Sequence, residues 1–326
     1  MKVCVFGAGA IGGLLGARLA QSGRDVSVVA RGATAVAVRA HGLRVQSGDA
    51  LTSASVTVAE DPVHLGPQDL VIVSVKGPAM GSVAARIAPL LKPETIVLTA
   101  MNGVPWWFFH GFGGRFAGTR LNAIDPNGTI AAAIPDRHVV GCVVHMSCST
   151  PEPGLARHFF GNGLIIGELG GVGRTPRIEA LAAMLVGAGF AVTVSDSIQS
   201  DIWYKLWGNM TMNPVSALTG ATGDRVLDDP LVYRFCLAVM AEAAAIGKAI
   251  GCPIAQSGED RMAITRTLGA FKTSMLQDVE SGKPTELDAL VTAVQEIGAR
   301  AGIAAPNIDA LLGLARLQAR VRGLYP

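Results

Sequence analysis

The sequence of 326 residues has few of the side chains that build metal sites or disulfide frameworks. Its five cysteines form no Cys-x-x-Cys pair, and its six histidines show no HExxH-type spacing. An odd number of widely spaced cysteines is typical of reduced thiols that fill small spaces in a core. We therefore expect no metal site and no disulfide framework.

Charge is scarce as well, because only 16% of the residues are charged and the formal net charge is +2. Lysine and arginine are scattered along the chain, which argues against a surface for nucleic acid or membrane. The longest apolar stretch, residues 180–195, contains Gly187 and Gly189 and is interpreted as helix, turn and strand rather than a membrane span. The expected partners are small molecules, and a homodimer is left open.

Glycine, in contrast, is abundant, and its spacing near the start of the chain is informative. An apolar run at residues 2–6 leads into the segment Gly7, Ala8, Gly9, Ala10, Ile11 and Gly12. Gly7 permits a tight turn, Gly9 lets the backbone approach a pyrophosphate, and Gly12 lets the following helix lie close to the strand. A second apolar run at residues 26–29 completes a βαβ unit. The pattern predicts that this segment binds a dinucleotide cofactor.

A secretory signal peptide is the alternative interpretation, because Lys2 precedes a small, apolar stretch that ends near residues 17–20. That interpretation requires the strand, the three spaced glycines and the second strand all to be coincidental. We therefore expect the segment to be structural and the protein to stay in the cytoplasm.

The end of the second predicted strand bears on the choice of cofactor. NAD-binding proteins normally place Asp or Glu there, where it accepts hydrogen bonds from the adenosine ribose hydroxyls. This sequence has Ala30-Arg31-Gly32 instead. A guanidinium pairs with a 2′-phosphate, whereas a carboxylate repels it, so Arg31 favours NADP. The alternative is that Arg31 is only an exposed loop cation.

Two polar residues follow later strands of the same region. Lys76 comes directly after the apolar run 70–75, and Asn102 follows the run 95–99 in the sequence Met-Asn-Gly. Ligands of doubly wound sheets bind outside the carboxyl ends of the strands, so both residues are candidates for the cofactor site. The alternatives are an exposed loop lysine and an ordinary Asn-Gly turn.

From about residue 197 onward the pattern changes to helical. Segments with helical spacing at 231–250, 260–278 and 285–301 are separated by prolines. The predicted fold is α/β, with a Rossmann-like doubly wound sheet domain followed by an all-helical domain. We expect residues 1–197 to bind NADP and residues 198–326 to bind substrate and to form any dimer contact.

A polar stripe lies at the start of the helical part. Lys205, Asn209 and Asn213 recur every four residues in an otherwise apolar segment, so a helix places them on one face. One cation and two amides in apolar surroundings are suited to binding an oxygen-rich small molecule. The alternatives are a snorkelling surface lysine and, for Asn213, the N-cap of a helix that begins at Pro214.

With these motifs together, the sequence resembles the ketopantoate reductases (2-dehydropantoate 2-reductases), relatives of the 6-phosphogluconate dehydrogenase type. The resemblance covers most of the chain. It is carried by the glycine motif with Arg31, by Lys76, by Asn102-Gly103, by Lys205-x3-Asn209-x3-Asn213, by Ser274-Met-Leu-Gln-Asp278 and by Thr285-Glu286-Leu-Asp288. It implies that NADPH reduces a 2-oxo acid to a 2-hydroxy acid, foremost ketopantoate to pantoate.

The resemblance also implies roles for individual residues. Lys205 is then the general acid, and Glu286 supports it and helps to hold the reacting end of the substrate. Substrate oxygens are bound by Asn102, Asn209, Asn213 and Ser274, and Lys76 and Asn102 also lie beside the cofactor. Hydride arriving at a carbonyl carbon leaves negative charge on oxygen, which an ammonium group stabilises and protonates. The alternatives are a helix-dipole acid for Glu286 and an ordinary helix-face serine for Ser274.

One segment departs from the family pattern, because residues 104–110 read Val-Pro-Trp-Trp-Phe-Phe-His. The aromatic residues Trp106 to Phe109 could form a lid or reshape the substrate pocket, or lie buried between domains or in a subunit contact. They leave open a paralogue that acts on another 2-oxo acid or carbonyl. A non-catalytic NADPH sensor is a further alternative, and the pair Lys205 and Glu286 argues against it.

Overall fold

A computed structural model describes all 326 residues, with ten strands and twelve α-helices. The strands are β1 (Lys2–Phe6), β2 (Asp25–Val29), β3 (Leu43–Ser47), β4 (Ala50–Ala54), β5 (Thr57–Ala59), β6 (Leu70–Val73), β7 (Ile96–Thr99), β8 (Val139–Glu152), β9 (Leu155–Gly167) and β10 (Ala191–Val194). The helices are α1 (Ala10–Gln21), α2 (Gly32–His41), α3 (Met80–Ala84), α4 (Thr129–Ala133), α5 (Pro176–Gly187), α6 (Ile198–Thr219), α7 (Gly223–Asp228), α8 (Pro230–Ala249), α9 (Gly258–Arg266), α10 (Ser274–Glu280), α11 (Ala293–Ala301) and α12 (Pro306–Val321).

The chain divides into two compact units. The sheet unit contains Met1–Met101 and Gly128–Ile198, and the helical unit contains Asn102–Asn127 and Gln199–Pro326. This division differs from the predicted domains, because segment Asn102–Asn127 belongs with the helices. The Glu296 carboxylate accepts hydrogen bonds from the backbone N–H groups of Asn122 (3.0 Å) and Ala123 (2.9 Å). The segment contains no strand that could pair with the sheet, and it makes its contacts with the helices instead.

The sheet unit is built on one sheet of ten strands. Its parallel part runs β5-β2-β1-β6-β7-β8, which is the doubly wound order of dinucleotide-binding folds. Strand β9 pairs antiparallel with β8 and parallel with β3 and β10, and β4 pairs antiparallel with β3. The central strand β1 is apolar and buried from Val3 to Phe6, as expected for a parallel strand that is covered on both faces.

The helical unit is organised around α8, which contacts α7, α9, α11 and α12. By length and composition alone α8 could cross a membrane, which for a single helix is weak evidence, and one face of α8 is buried inside the unit. The expectation of a continuous helix over residues 260–278 was wrong. Helix α9 ends at Arg266, Gly269 adopts a positive φ of 64°, and the Thr273 hydroxyl caps a new helix, α10.

The five cysteines are free thiols. Burial raises the pKa of four of them, Cys4, Cys148, Cys236 and Cys252, to about 12. These thiols therefore stay protonated at neutral pH and are poor nucleophiles and poor metal ligands.

Candidate active site

Close packing requires glycine at two positions of the turn between β1 and α1. Gly7 has a φ of +104°, and a Cβ there would lie 2.6 Å from Val75 Cγ1 and 2.7 Å from the Ser74 carbonyl oxygen. A Cβ on Gly12 would lie 2.0 Å from the carbonyl oxygen of Gly7. Only glycine therefore lets the turn contact the end of β6 while α1 starts directly above it.

Gly9 is different, because no atom lies within 4 Å of the position that its Cβ would take. It is the N-cap of α1 with no side-chain cap, and its carbonyl accepts the first helical bond, from Gly13 (2.8 Å). The neighbouring residues Ala8, Ala10 and Ile11 are buried or half-buried. Open space in front of the uncapped N-terminus of α1 fits a pyrophosphate, which needs backbone N–H donors and close approach.

The turn lies where the strand order of the parallel sheet reverses, between β1 and β6. Lys76 follows β6 after Ser74 and Val75, the residues that contact Gly7, so the structure brings it close to the turn. Arg31 follows β2 and is the exposed N-cap of α2, whose first turn holds no acidic residue. The sheet unit therefore assembles the glycine turn, Arg31 and Lys76 at the carboxyl ends of three neighbouring strands, whereas Asn102, also predicted to lie beside the cofactor, belongs to the helical unit.

In the helical unit, α6 carries the predicted polar stripe. The Lys205 ammonium donates a hydrogen bond to Asn102 Oδ1 at 2.8 Å. An ammonium group can only donate, so this contact fixes the amide orientation and leaves the NH₂ group of Asn102 as its donor end. Lys205 is half-buried and held by this bond, which a freely snorkelling surface lysine would not be.

The other end of the stripe contacts α10. Asn213 is buried, and its Nδ2 donates to the Ser274 hydroxyl at 3.3 Å. The alternative that Asn213 caps a new helix was wrong, because Pro214 lies inside α6 and the helix continues to Thr219. Asn209 is half-buried on the same face, between Lys205 and Asn213.

Glu286 is buried, with 9% of its surface exposed, and lies two residues before a helical turn. That turn, Asp288–Thr292, has π-helical geometry and continues into α11. The Ala289 carbonyl accepts a hydrogen bond from the Val104 N–H at 2.8 Å. Gly103 has a φ of +85°, and a Cβ there would lie 2.6 Å from the Ala289 oxygen. The Glu286 segment therefore packs directly against the segment that carries Asn102.

The aromatic segment is buried in the structure. Trp106, Trp107, Phe108 and Phe109 have at most 4% of their surface exposed, which agrees with the alternative of buried packing. Phe108 packs on Trp203 of α6, with ring centroids 6.0 Å apart, and the Trp203 indole N–H donates to the Ala243 carbonyl of α8. The segment is thus core packing behind the helix that carries Lys205.

Sequence reasoning missed two residues that contact this cluster, one through its backbone and one through its side chain. No motif marks Ala289, which acts through its carbonyl oxygen, or Tyr325, which lies after α12 and donates to Asp288 at 2.6 Å. A π turn has no composition signal of its own, so these contacts could not be found from residue types.

A doubly wound sheet with this glycine turn, together with a helical unit that holds a lysine in an amide-rich cluster, defines the class of nicotinamide-dependent oxidoreductases. Residues 3–105 match the family model described as Ketopantoate reductase PanE/ApbA, and residues 197–319 match Ketopantoate reductase PanE/ApbA C terminal. The chain belongs to the ketopantoate reductase family and is an oxidoreductase.

Named relatives are similar over the full length of the chain. A 2-dehydropantoate 2-reductase of Mesorhizobium japonicum is 45% identical and covers 100% of both chains. Another, from Halobacterium salinarum, is 30% identical over 98% of this chain and 99% of its own. The crystal structure of a provisionally named ketopantoate reductase from Ralstonia solanacearum MolK2 is 58% identical, covers 99% of both chains and has a TM-score of 0.95.

Proposed function

We propose that the protein reduces ketopantoate to pantoate with NADPH, with Lys205 as the general acid. The observation that carries this proposal is the 2.8 Å hydrogen bond between Lys205 Nζ and Asn102 Oδ1 inside the helical unit. This bond fixes the direction of the half-buried Lys205 ammonium group, which lies among amide side chains. Such a group stabilises the negative charge that develops on a carbonyl oxygen during reduction.

We assign the cofactor to the sheet unit, with Gly7, Ala8, Gly9, Ala10, Ile11 and Gly12 around the pyrophosphate and Lys76 nearby. NADPH supplies the hydride when it is bound. Two features of the chain support this assignment: the open space over Gly9 and the uncapped N-terminus of α1. We infer that Arg31 pairs with the 2′-phosphate, because it is exposed at the end of β2 where a carboxylate would favour NAD.

We assign the 2-oxo acid to the helical unit. The Asn102 amide keeps its NH₂ donor for a substrate oxygen while its Oδ1 orients Lys205. Asn209, Asn213 and the Ser274 hydroxyl supply further hydrogen bonds along the same face of α6. Glu286 supports the Lys205 charge and helps to hold the reacting end of the substrate, a role that its burial beside the Asn102 segment favours.

Lys205 then performs two tasks in sequence. While charged, it polarises the C2 carbonyl and stabilises the alkoxide as hydride reaches C2; afterwards it gives its proton to that oxygen. Both atoms and charge balance, because one hydride and one proton convert C=O to CH–OH. We expect the enzyme to act in the cytoplasm on a small-molecule 2-oxo acid, and a homodimer is left open.

The test is the initial rate of NADPH oxidation with ketopantoate beside a panel of other 2-oxo acids, repeated with NADH. Turnover of ketopantoate that prefers NADPH is expected. Turnover confined to another acid would support the second candidate, a paralogue that acts on another 2-oxo acid or carbonyl. Binding of NADPH without any turnover would refute the catalytic proposal and indicate a sensor.

A further inference from the structure

The chain that follows α12 returns to the segment around Glu286 and contacts it on both sides. The Leu324 carbonyl accepts a hydrogen bond from the Thr285 N–H at 3.1 Å, one residue before Glu286. The Tyr325 hydroxyl donates to Asp288 Oδ1 at 2.6 Å, two residues after it. Glu286 is therefore bracketed by two hydrogen bonds from a part of the sequence that no motif marks.

Asp288 is also the first residue of the π turn. The hydroxyl of Thr292, the last residue of that turn, donates to the same Asp288 oxygen at 3.2 Å. Single π turns are rare, are less stable than α-helical turns and cluster at functional sites. Two hydroxyl donors on one carboxylate oxygen thus stabilise a backbone geometry that the helix would not adopt by itself.

The π turn reaches the catalytic lysine through a short chain of contacts. Its Ala289 carbonyl binds the Val104 N–H at 2.8 Å, and Gly103 lies against Ala289. The residue before Gly103 is Asn102, whose amide oxygen holds the Lys205 ammonium at 2.8 Å. A shift of the π turn therefore moves both Glu286 and the partner of Lys205.

We propose that Tyr325 is a positioning residue of the active site: through Asp288 it fixes the π turn that sets Glu286 and, by way of Gly103 and Val104, the Asn102 amide. The inference rests on the proposed function, because it takes Lys205, Asn102 and Glu286 as the groups that act on substrate.

The Tyr325 side chain is well held for this task. The guanidinium of Arg320 lies 5.5 Å from the centre of its ring, and Arg320 Nε donates to the Pro326 carbonyl at 2.7 Å. Burial, followed by the hydrogen bond and the charge of Asp288, raises the pKa of Tyr325 to about 12. The hydroxyl therefore stays protonated, and remains a donor to Asp288, across the whole range in which the enzyme can be assayed.

The test compares Tyr325→Phe with Tyr204→Phe in the full-length protein. Tyr204 is a matched control in the helical unit, because its hydroxyl also makes a 2.6 Å hydrogen bond, to Gln256 Oε1. A displacement well below 1 Å at the reacting groups should lower kcat about tenfold in Tyr325→Phe, since misplacement by 1 Å costs about 100-fold. The affinity for NADPH, measured by fluorescence titration, should not change, and Tyr204→Phe should match the wild type.

Two readouts separate positioning from a loss of folded protein. Rates are normalised to the sites that bind NADPH, and hydrogen exchange is followed at the Val104 amide, which should exchange faster in Tyr325→Phe but not in Tyr204→Phe. Thr292→Val, which removes the second donor to Asp288, should lower kcat in the same direction. A normalised kcat equal to that of the wild type, or an unchanged Val104 amide, would overturn the proposal. Failure of the proposed function is distinguishable, because the wild type itself would then turn over no 2-oxo acid.

Discussion

Alanine substitutions at Gly9 and Gly12 should separate cofactor binding from folding, although the two residues lie in one turn. Gly9 has an ordinary φ of −78°, and an added Cβ meets no atom within 4 Å. Replacing glycine by alanine at the N-cap lowers the free energy of unfolding by about 0.5–1 kcal/mol, and the reduced freedom of the unfolded chain raises it by about 0.4–1 kcal/mol. Gly9→Ala should therefore keep the melting temperature of the wild type.

NADPH binding should respond quite differently to the same substitution. The new methyl group fills the open space in front of the N-terminus of α1, where the pyrophosphate would accept backbone hydrogen bonds. Losing one such charge-assisted bond costs about 1.5–3 kcal/mol. At 1.4 kcal/mol for each factor of ten, the dissociation constant for NADPH should rise by roughly 10- to 100-fold.

Gly12→Ala should instead destabilise the protein. Its Cβ would lie 2.0 Å from the Gly7 carbonyl oxygen and 3.0 Å from Val5 Cγ1, and neither can move without shifting the turn or β1. Overpacking of this kind costs about 1–3 kcal/mol or more. At about 2–4 °C for each kcal/mol, the melting temperature should fall by several degrees.

Fluorescence titration with NADPH and thermal melts, run on both variants, measure these effects. Gly13→Ala is the control, because its Cβ would make only an ordinary 3.5 Å contact with the Ala156 Cβ. If Gly9→Ala bound NADPH like the wild type, the pyrophosphate would not lie over this turn, and the cofactor assignment would be refuted.

Three further predictions concern charge. Arg31→Ala should raise the dissociation constant for NADPH by roughly 10- to 100-fold, because a charge-assisted hydrogen bond contributes about 1.5–3 kcal/mol. The dissociation constant for NADH should not change. An equal effect on both cofactors in titrations would contradict the role of Arg31. Lys205→Ala should lower kcat by about 100- to 10,000-fold yet retain NADPH binding, and a loss of only a few-fold in the NADPH oxidation assay would exclude it as the general acid. Burial opposes the charge of Glu296, but hydrogen bonds from Ala123, Asn122 and Arg300 outweigh it and lower its pKa. A lowered pKa contributes stability that is fully present above the unfolded-state pKa and is lost as pH falls through the folded-state pKa. Glu296→Gln should therefore destabilise the protein at about pH 7 and less at about pH 3 in urea unfolding. Equal destabilisation at both pH values would contradict this account.

Much of the architecture follows from local pattern. The strand, glycine turn and helix at residues 2–21 are predictable because an apolar run, spaced glycines and a second apolar run follow one another closely in the sequence, and Gly12 packs against the Gly7 carbonyl within the same turn. The stripe of Lys205, Asn209 and Asn213 is predictable because helical periodicity alone puts the three on one face. The break between α9 and α10 was not predicted, because apolar spacing continued across Gly269, where the backbone turns away.

The contacts that assemble the candidate site are of another kind. The assignment of residues 102–127 to the helical unit depends on hydrogen bonds to Glu296 and Ala289, more than 170 positions away. The burial of the aromatic segment depends on Trp203, about a hundred residues further along. None of these three partners is marked by the residues of the segment itself.

The sequence by itself therefore determined the fold class, the cofactor motif and the residue types of the polar cluster, since these rest on short-range sterics and periodicity. Only the tertiary structure decided that Asn102 orients Lys205, that a π turn offers Ala289 to Val104, and that Tyr325 binds Asp288. The contact of Ala289 uses backbone groups that every residue has, and the partners in all three contacts meet only once distant segments have packed, so no local pattern predicts them.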